Sequence, residues 1–295
     1  DPKGQRLLVS SVDSVGTKLK IAFMADIHST VGIDIVSHCA NDILVQGAEP
    51  LFFMDYIGIG KIADYVLEDL IKGIVDACKN IGCALLGGEI AELPGIYSQG
   101  EYDLVGFIVG AVMKKELIDG SSIKPGDSCI GIASSGLHTN GYSLTRKIIF
   151  EKAKLGIHDI ISGVNRSVFE ELLTPHRCYV HPILSLRKKV TIKGLAHITG
   201  GGITDNLPRI MPAGMHAEIR MGSWPILPIF EFLRRIGNIR EEEMLHTYNM
   251  GIGMVVVVPS NQTTQTIKLL ESFGERAYFI GNIKEKGEGV IYVQK

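Results

Sequence analysis

Glycine falls in this 295-residue chain in short clusters that separate strand-like from helix-like segments, and that placement constrains the fold more than any other feature. Glycine makes up 34 of 295 residues, about 11.5% where roughly 7% is usual. A flexible linker would string such residues together with serine. Here Gly87-Gly88, Gly136 with Gly141, and Gly200-Gly201-Gly202 each follow a short apolar run, which is how backbone is shaped for close approach to a ligand.

Between the clusters, hydrophobic periodicity alternates. Strands are expected at Leu7 to Val12, Leu51 to Ile57, Cys83 to Leu86 and Leu104 to Met113, with helices from about Thr30 to Gln46 and from Asp64 to Asn80. The segment KKELIDGSSIKPGD, residues 114–127, interrupts the pattern with charge, Gly, Ser and Pro. It reads as a linker between an N-terminal domain, 1–113, and a C-terminal domain, 128–295. Beyond it come strands Cys129 to Ala133, Ala196 to Thr199, His216 to Met221, Met254 to Val258 and Ala277 to Ile283. Helices are expected at Gly141 to Lys154, around Val168 and Pro182, just after Gly202, at Ile226 to Ile236 and at Thr263 to Phe273. The fold class is therefore α/β and α+β in two domains.

Thirty Lys+Arg against thirty-two Asp+Glu leave a net charge of -2, so no broad electrostatic drive favours nucleic acid or an acidic membrane, and an anion must be held locally. The longest apolar runs, Leu104 to Met113 and Ile252 to Val258, are too short to span a bilayer. No basic-then-apolar leader opens the chain. Cys39, Cys78, Cys83, Cys129 and Cys178 are scattered and odd in number, which suggests neither a disulfide framework nor a zinc site and fits a reducing cytosol.

Several strings carry chemistry. In SVDSVGTKLK, Asp13, Gly16 and Lys18 leave a strand on a tight turn; a carboxylate for Mg²⁺ beside an ammonium for phosphate oxygens suits a metal-bound nucleotide. The alternative is an exposed turn, and no Walker A loop is present. In GIDIVSHCANDILVQG, Asp34, His38 and Asp42 recur at i, i+4 and i+8 with Asn41 beside them on an otherwise apolar helix. Paired carboxylates there need a compensating cation, or else mark a solvated face; His38, without Cys or His partners for a metal, reads as a structural hydrogen-bonding group. In GGEIAELPG, Glu89 is a candidate ligand or base, against a plain turn with exposed acids. The loops SSGLHTNGYSL and HITGGGITDNLPR suit oxyanions at helix starts, the second with Arg209 nearby, though Ser/Thr/Asn capping gives the first an ordinary role too.

Five strings together resemble the phosphoribosylformylglycinamidine cyclo-ligase family of purine biosynthesis. They are DSVGTKLK at 13–20, TVGIDIVSHCANDILVQGAEPLFFMDY at 30–56, ALLGGEIAELPGIY at 84–97, GIASSGLHTNGYSLTRKI at 131–148 and HITGGGITDNLPRIMP at 197–212. The resemblance implies an N-terminal α/β domain that joins a second subunit in a dimeric, β-barrel-like core, followed by a C-terminal α+β sandwich. It implies ATP and Mg²⁺ as cofactors. Asp13, Gly16, Thr17, Lys18, Asn41, Gly87, Gly88 and Glu89 would bind nucleotide, and Asp13, Asp34 and Asp42 the metal. Ser135, Gly136, His138, Asn140, Gly200, Gly201, Gly202, Asn206 and Arg209 would face formylglycinamidine ribonucleotide, with Lys18 and His138 catalytic. The implied protein is a cytoplasmic homodimer.

This sequence departs from the family pattern at Ser14, where Gly is common, at Ile90, where Thr is usual, and at Asp205, where Glu is usual. The family also carries a glycine-rich loop over ATP, N-terminal to the position of Asp1. The implied reaction phosphorylates the formyl oxygen and closes an imidazole ring. A small-molecule kinase of the same group would leave phosphate on its product, and a non-catalytic nucleotide-binding partner would bind ATP without turnover.

Overall fold

The structure is a computed structural model that describes residues 4–294. The N-terminal half contributes β1 (Arg6–Ser14), α1 (Leu19–Ala25), α2 (Ser29–Leu44), β2 (Glu49–Ile59), α3 (Asp64–Ile81), β3 (Ala84–Glu92) and β4 (Tyr102–Met113). Its strands form one mixed sheet in the order β1-β4-β2-β3, antiparallel except where β3 runs parallel to β2. Helix α3 buries Val66, Leu70, Ile74, Ala77 and Ile81 at helical spacing. It crosses α2 where Gly32 meets Gly73, and a Cβ on Gly73 would sit 2.0 Å from the Ser29 carbonyl. Only backbone-to-backbone packing fits there.

The C-terminal half contributes β5 (Ser128–Ala133), α4 (Tyr142–Arg146), α5 (Val168–Leu172), α6 (Val180–Leu186), β6 (Gly194–His197), α7 (Gly202–Asn206), β7 (Met215–Met221), α8 (Pro228–Gly237), α9 (Glu241–Thr247), β8 (Ile252–Val258), α10 (Thr263–Ser272), β9 (Ala277–Glu285) and β10 (Val290–Gln294). A six-stranded sheet has the order β10-β7-β9-β5-β8-β6. The run Ile252–Val258 is buried at every position because β8 lies between β5 and β6 with both faces covered. Helices α2, α4 and α6 share one core with both sheets.

Three sequence expectations change. The strand expected to stop at Leu86 continues through Gly87 and Gly88 to Glu92; Leu86 is an extra residue between pairs Phe53–Leu85 and Met54–Gly87, and Gly87 takes φ +128° at this bulge. The helix expected over 141–154 is α-helical only to Arg146 and widens to a π-turn over Lys147–Lys152. Helices α1 and α9 and strand β10 were not expected. Among the described residues neither sheet closes on itself, so one chain presents an open sheet with edges β1 and β3, and the barrel-like core expected of two subunits is not formed within it.

Candidate functional site at the domain seam

The polar stripe of α2 forms the seam between the two halves. Asp34 accepts the His176 backbone N–H at 2.6 Å. Asn41 donates to the Arg177 carbonyl at 2.8 Å and accepts the Tyr179 N–H at 2.9 Å, so both ends of its amide are spent on the second domain. His38 Nδ1 lies 2.9 Å from Thr139 Oγ1, and Asp42 Oδ1 lies 2.8 Å from His197 Nδ1. The carboxylates that would be costly on a buried helix are thus satisfied from across the seam.

Lys18 follows the turn at Gly16, whose φ is +68°. Its ammonium is fully buried and meets Asp34 Oδ2 at 2.7 Å, the Thr174 carbonyl at 2.8 Å and the His138 carbonyl at 3.1 Å. Three donors and three partners leave none for a phosphate. Burial pulls the Lys18 pKa down and pushes that of Asp34 up, each opposed by the other's charge. This arrangement answers the need of Asp34 for a cation within the protein. Thr17 reaches across to Ser143 at 3.1 Å.

Asp13 and Asp42 are different, with side chains 39% and 27% exposed. Asp13 Oδ2 lies 2.9 Å from His38 Nε2, and Asp13 also accepts the Ser14 N–H at 2.7 Å. Asp42 accepts the Ser11 hydroxyl at 2.9 Å. Burial raises both carboxyl pKa values, but hydrogen bonds and charge from His38 for Asp13, and from His197 and His38 for Asp42, bring the net shift below the ordinary value. For His38, burial opposes the charged ring while Asp13 and Asp42 favour it, and the pKa ends raised.

The second-domain loops join this cluster through Thr139. His138 is buried with φ +62°; its Nε2 accepts the Ser135 N–H at 3.2 Å and its Nδ1 has no partner. It stacks on His176 with centroids 4.0 Å apart. Burial, then neighbouring positive groups, holds both rings well below the usual histidine range, so His138 is neutral. Ser135 donates to the Pro175 carbonyl at 2.6 Å, and Gly136 presents its carbonyl to Asn249 at 2.8 Å. Asn140 has a buried Nδ2 with no partner, and its Oδ1 is 3.4 Å from where a Gly200 Cβ would stand. The two glycine loops are therefore adjacent. Asn206 shapes the second, donating to the Gly200 and Gly202 carbonyls at 3.1 and 2.8 Å. Gly202, at φ +61°, would drive a Cβ to 1.9 Å from the Leu245 carbonyl.

Three expected residues have other surroundings. Gly88 packs on Asp55, whose carbonyl would be 2.2 Å from a Cβ; Glu89 is exposed on edge strand β3; and Arg209 is exposed in the turn Leu207–Ile210. Conversely, His38 and His197 sit in the carboxylate cluster, and His176 adjoins it 3.0 Å from His197. Sequence spacing gave no signal for His176 or His197, because their partners lie on distant segments.

Comparison with known proteins agrees with this architecture. The AIR synthase related protein N-terminal domain matches residues 1–112 and the C-terminal domain residues 124–294. A phosphoribosylformylglycinamidine cyclo-ligase of Thermoanaerobacter pseudethanolicus is 55% identical over 285 residues, 97% of this chain and 84% of that protein. The one of Geobacillus sp. (strain WCH70) is 52% identical over 286 residues, 97% of this chain and 82% of that protein. In fold, the chain resembles thiamine-monophosphate kinase from Stenotrophomonas maltophilia K279a, with TM-score 0.74 at 17% identity, covering 99% of this chain and 87% of that one. It also resembles the hydrogenase maturation protein HypE solved in complex with ATP, with TM-score 0.68 at 18% identity, covering 98% and 82%. The chain belongs to the phosphoribosylformylglycinamidine cyclo-ligase family of AIR synthase related proteins.

Proposed function

We propose that this chain catalyses the ATP-dependent closure of formylglycinamidine ribonucleotide to 5-aminoimidazole ribonucleotide, with release of ADP and phosphate. One observation carries the reading: the part-exposed pair Asp13 and Asp42 is linked through His38 and Thr139 to the loop of Asn140, which touches the open Gly200–Gly202 loop. A triphosphate and a ribonucleotide phosphate can then meet across one seam. The unpartnered Asn140 amide and the accessible backbone of Gly200 suit the substrate phosphate.

In the reaction, the formyl oxygen attacks the γ-phosphorus and ADP leaves. An amidine nitrogen then attacks the formyl carbon, phosphate departs with the formyl oxygen, and the ring closes. Holding the formyl oxygen against the γ-phosphorus makes the bimolecular phosphoryl transfer effectively unimolecular, which can contribute up to about 7 to 11 kcal/mol, and the bound ribonucleotide is then held with nitrogen and formyl carbon in contact for ring closure. His138, neutral and buried, serves as a hydrogen-bonding group rather than as an acid at neutral pH. Lys18, with its donors committed, acts by locking the 138 and 174 carbonyls in place.

The Asp13 and Asp42 carboxylates would hold a divalent cation, which when bound would neutralise charge on the phosphoryl oxygens. The oxygens of Asp13 and Asp42 fit one, whereas Asp34 is already paired. The imidazoles in the same cluster do not suit Mg²⁺, which prefers all-oxygen surroundings. A homodimer formed through the N-terminal sheet is supported by its bare apolar face. Among the described residues no helix is long and apolar enough to cross a membrane, and the five thiols are free, which supports the cytosol. We place the division between domains at 114–127.

Incubation of the full-length protein with formylglycinamidine ribonucleotide, ATP and a divalent cation tests this function. Equimolar ADP, free phosphate and aminoimidazole are expected. Phosphate retained on the product would indicate the kinase alternative, and ATP binding without turnover the non-catalytic one.

A further inference from the structure

The C-terminal end of α3 closes in a Schellman turn. Gly82 takes φ +67°, its N–H donates to the Lys79 carbonyl at 3.2 Å, and the Cys83 N–H donates to the Cys78 carbonyl at 2.9 Å. Such a turn brings together the side chains of the two residues that its outer bond joins, where apolar groups ordinarily meet. Here both are cysteines, and the two thiols share a hydrogen bond. A disulfide needs Cα atoms roughly 4.4–6.8 Å apart, and the backbone bond between Cys78 and Cys83 holds theirs at close range.

The surroundings favour reaction at this pair. Cys78 and Cys83 are 2% and 7% exposed, but they lie beneath a single turn whose Lys79, Asn80 and Gly82 face solvent, as does Ala84 beyond it. Helix ends of this kind open locally more readily than helix interiors, which admits a small oxidant. By contrast Cys39 and Cys129 are fully enclosed, and burial pushes the Cys129 thiol up to about 12. The hydrogen bond from Cys78 holds the Cys83 thiol below its ordinary value, and the same bond, then burial, keeps Cys78 above it. The thiolate is the attacking form, so Cys83 attacks and Cys78 resolves.

We propose that Cys78 and Cys83 form a reversible oxidation site, at which a peroxide converts the two thiols to a disulfide across the α3 turn. The Cys83 thiolate attacks one oxygen of hydrogen peroxide; the O–O bond breaks, and hydroxide leaves and takes up the proton Cys83 had released, forming water. The Cys78 sulfur then attacks the sulfenic acid on Cys83. Its S–O bond breaks as the S–S bond forms, and hydroxide leaves with the Cys78 proton as a second water. Two electrons pass from the sulfurs to peroxide. The disulfide links the end of α3 to the residue before β3, and a dithiol reductant reverses it.

The folded full-length protein, without nucleotide or substrate, is treated with hydrogen peroxide, alkylated, and digested with trypsin in the absence of reductant. Trypsin cuts after Lys79, between the two cysteines, so the disulfide is read by mass spectrometry as a linked pair of peptides that dithiothreitol separates. The linked pair is expected to form at least roughly tenfold faster than the Cys129 thiol is lost. In Cys78→Ser, Cys83 has no resolving partner and is expected to be trapped by dimedone as the sulfenic acid; should that variant fail to fold, the wild-type linkage decides alone. Thiols at 78 and 83 lost no faster than Cys129, sulfinic acid at either position without linkage, a linked pair that forms only in urea, or a folded Cys78→Ser protein whose Cys83 escapes dimedone would overturn the proposal.

Discussion

Lys18 and Asp34 meet at 2.7 Å with neither side chain exposed, and each also bonds the second domain. The Lys18 ammonium holds the His138 and Thr174 carbonyls, and the Asp34 carboxylate holds the His176 N–H. The pair therefore fastens the domains together where the two loops meet.

Removing one member leaves the other charged and buried. Lys18→Met is expected to cost about 3 to 5 kcal/mol, read as a lower urea midpoint. Replacing both residues with apolar ones should cost less than the single change, since no lone charge remains. A Lys18→Met protein with wild-type stability would show that the pair is not the fastener.

Much of this arrangement could be read from sequence, and much of its purpose could not. The stripe of Asp34, His38, Asn41 and Asp42 is visible because helical spacing is local. Its partners are not: Asp34 binds a residue 142 positions away and Asn41 one 138 positions away. The same distance hid the cluster around His38, which alone resembles a structural histidine. Gly87-Gly88 reads as a loop because a glycine pair within a strand resembles a strand end; the bulge that uses Gly87 depends on register with β2. Helix α9, EEEMLHT, is too short and too charged to show an apolar face, and β10 is a short strand beyond Gly287 and Gly289.

Gly253 in β8 is required by what lies over it. A Cβ there would be 2.1 Å from Tyr179 Oη and 2.5 Å from His138 Cε1, and both rings are buried, with Tyr179 bonded to the Ala133 carbonyl at 2.9 Å. Gly253→Ala is expected to lower stability by about 1 to 3 kcal/mol and to reduce turnover by displacing His138. A urea midpoint equal to wild type would contradict this.

Stability should fall with acid. Burial depresses His138 and His176, and a group with a depressed folded pKa contributes stability that is present above its unfolded value, about 6.5, and lost as pH falls. Below that value the unfolded chain takes up protons that these two rings refuse, a slope of up to about 2.7 kcal/mol per pH unit. His197 shifts in the same direction. His38 is raised; its contribution grows as pH falls to the unfolded value and is complete below it, so it offsets part of the loss above about pH 6.5 and none below. Urea midpoints at about pH 6.5 and about pH 5.0 measure the loss, and equal values would contradict it.

Val12 and Met54 both pair with Phe107 in register, placing three exposed apolar side chains on one face of the N-terminal sheet, with Leu8 further along it. An apolar sheet face of this kind marks an interface. Phe107→Glu is expected to turn a dimer into a monomer in sedimentation velocity; a wild-type protein that is monomeric at all concentrations would refute the dimer.

In the proposed reaction, phosphorylation activates the formyl oxygen for departure during ring closure. Substrate labelled with ¹⁸O at the formyl group tests it. The label is expected to leave in inorganic phosphate, one atom for each ring closed and each ADP formed. Phosphate free of label, with the aminoimidazole still produced, would contradict it.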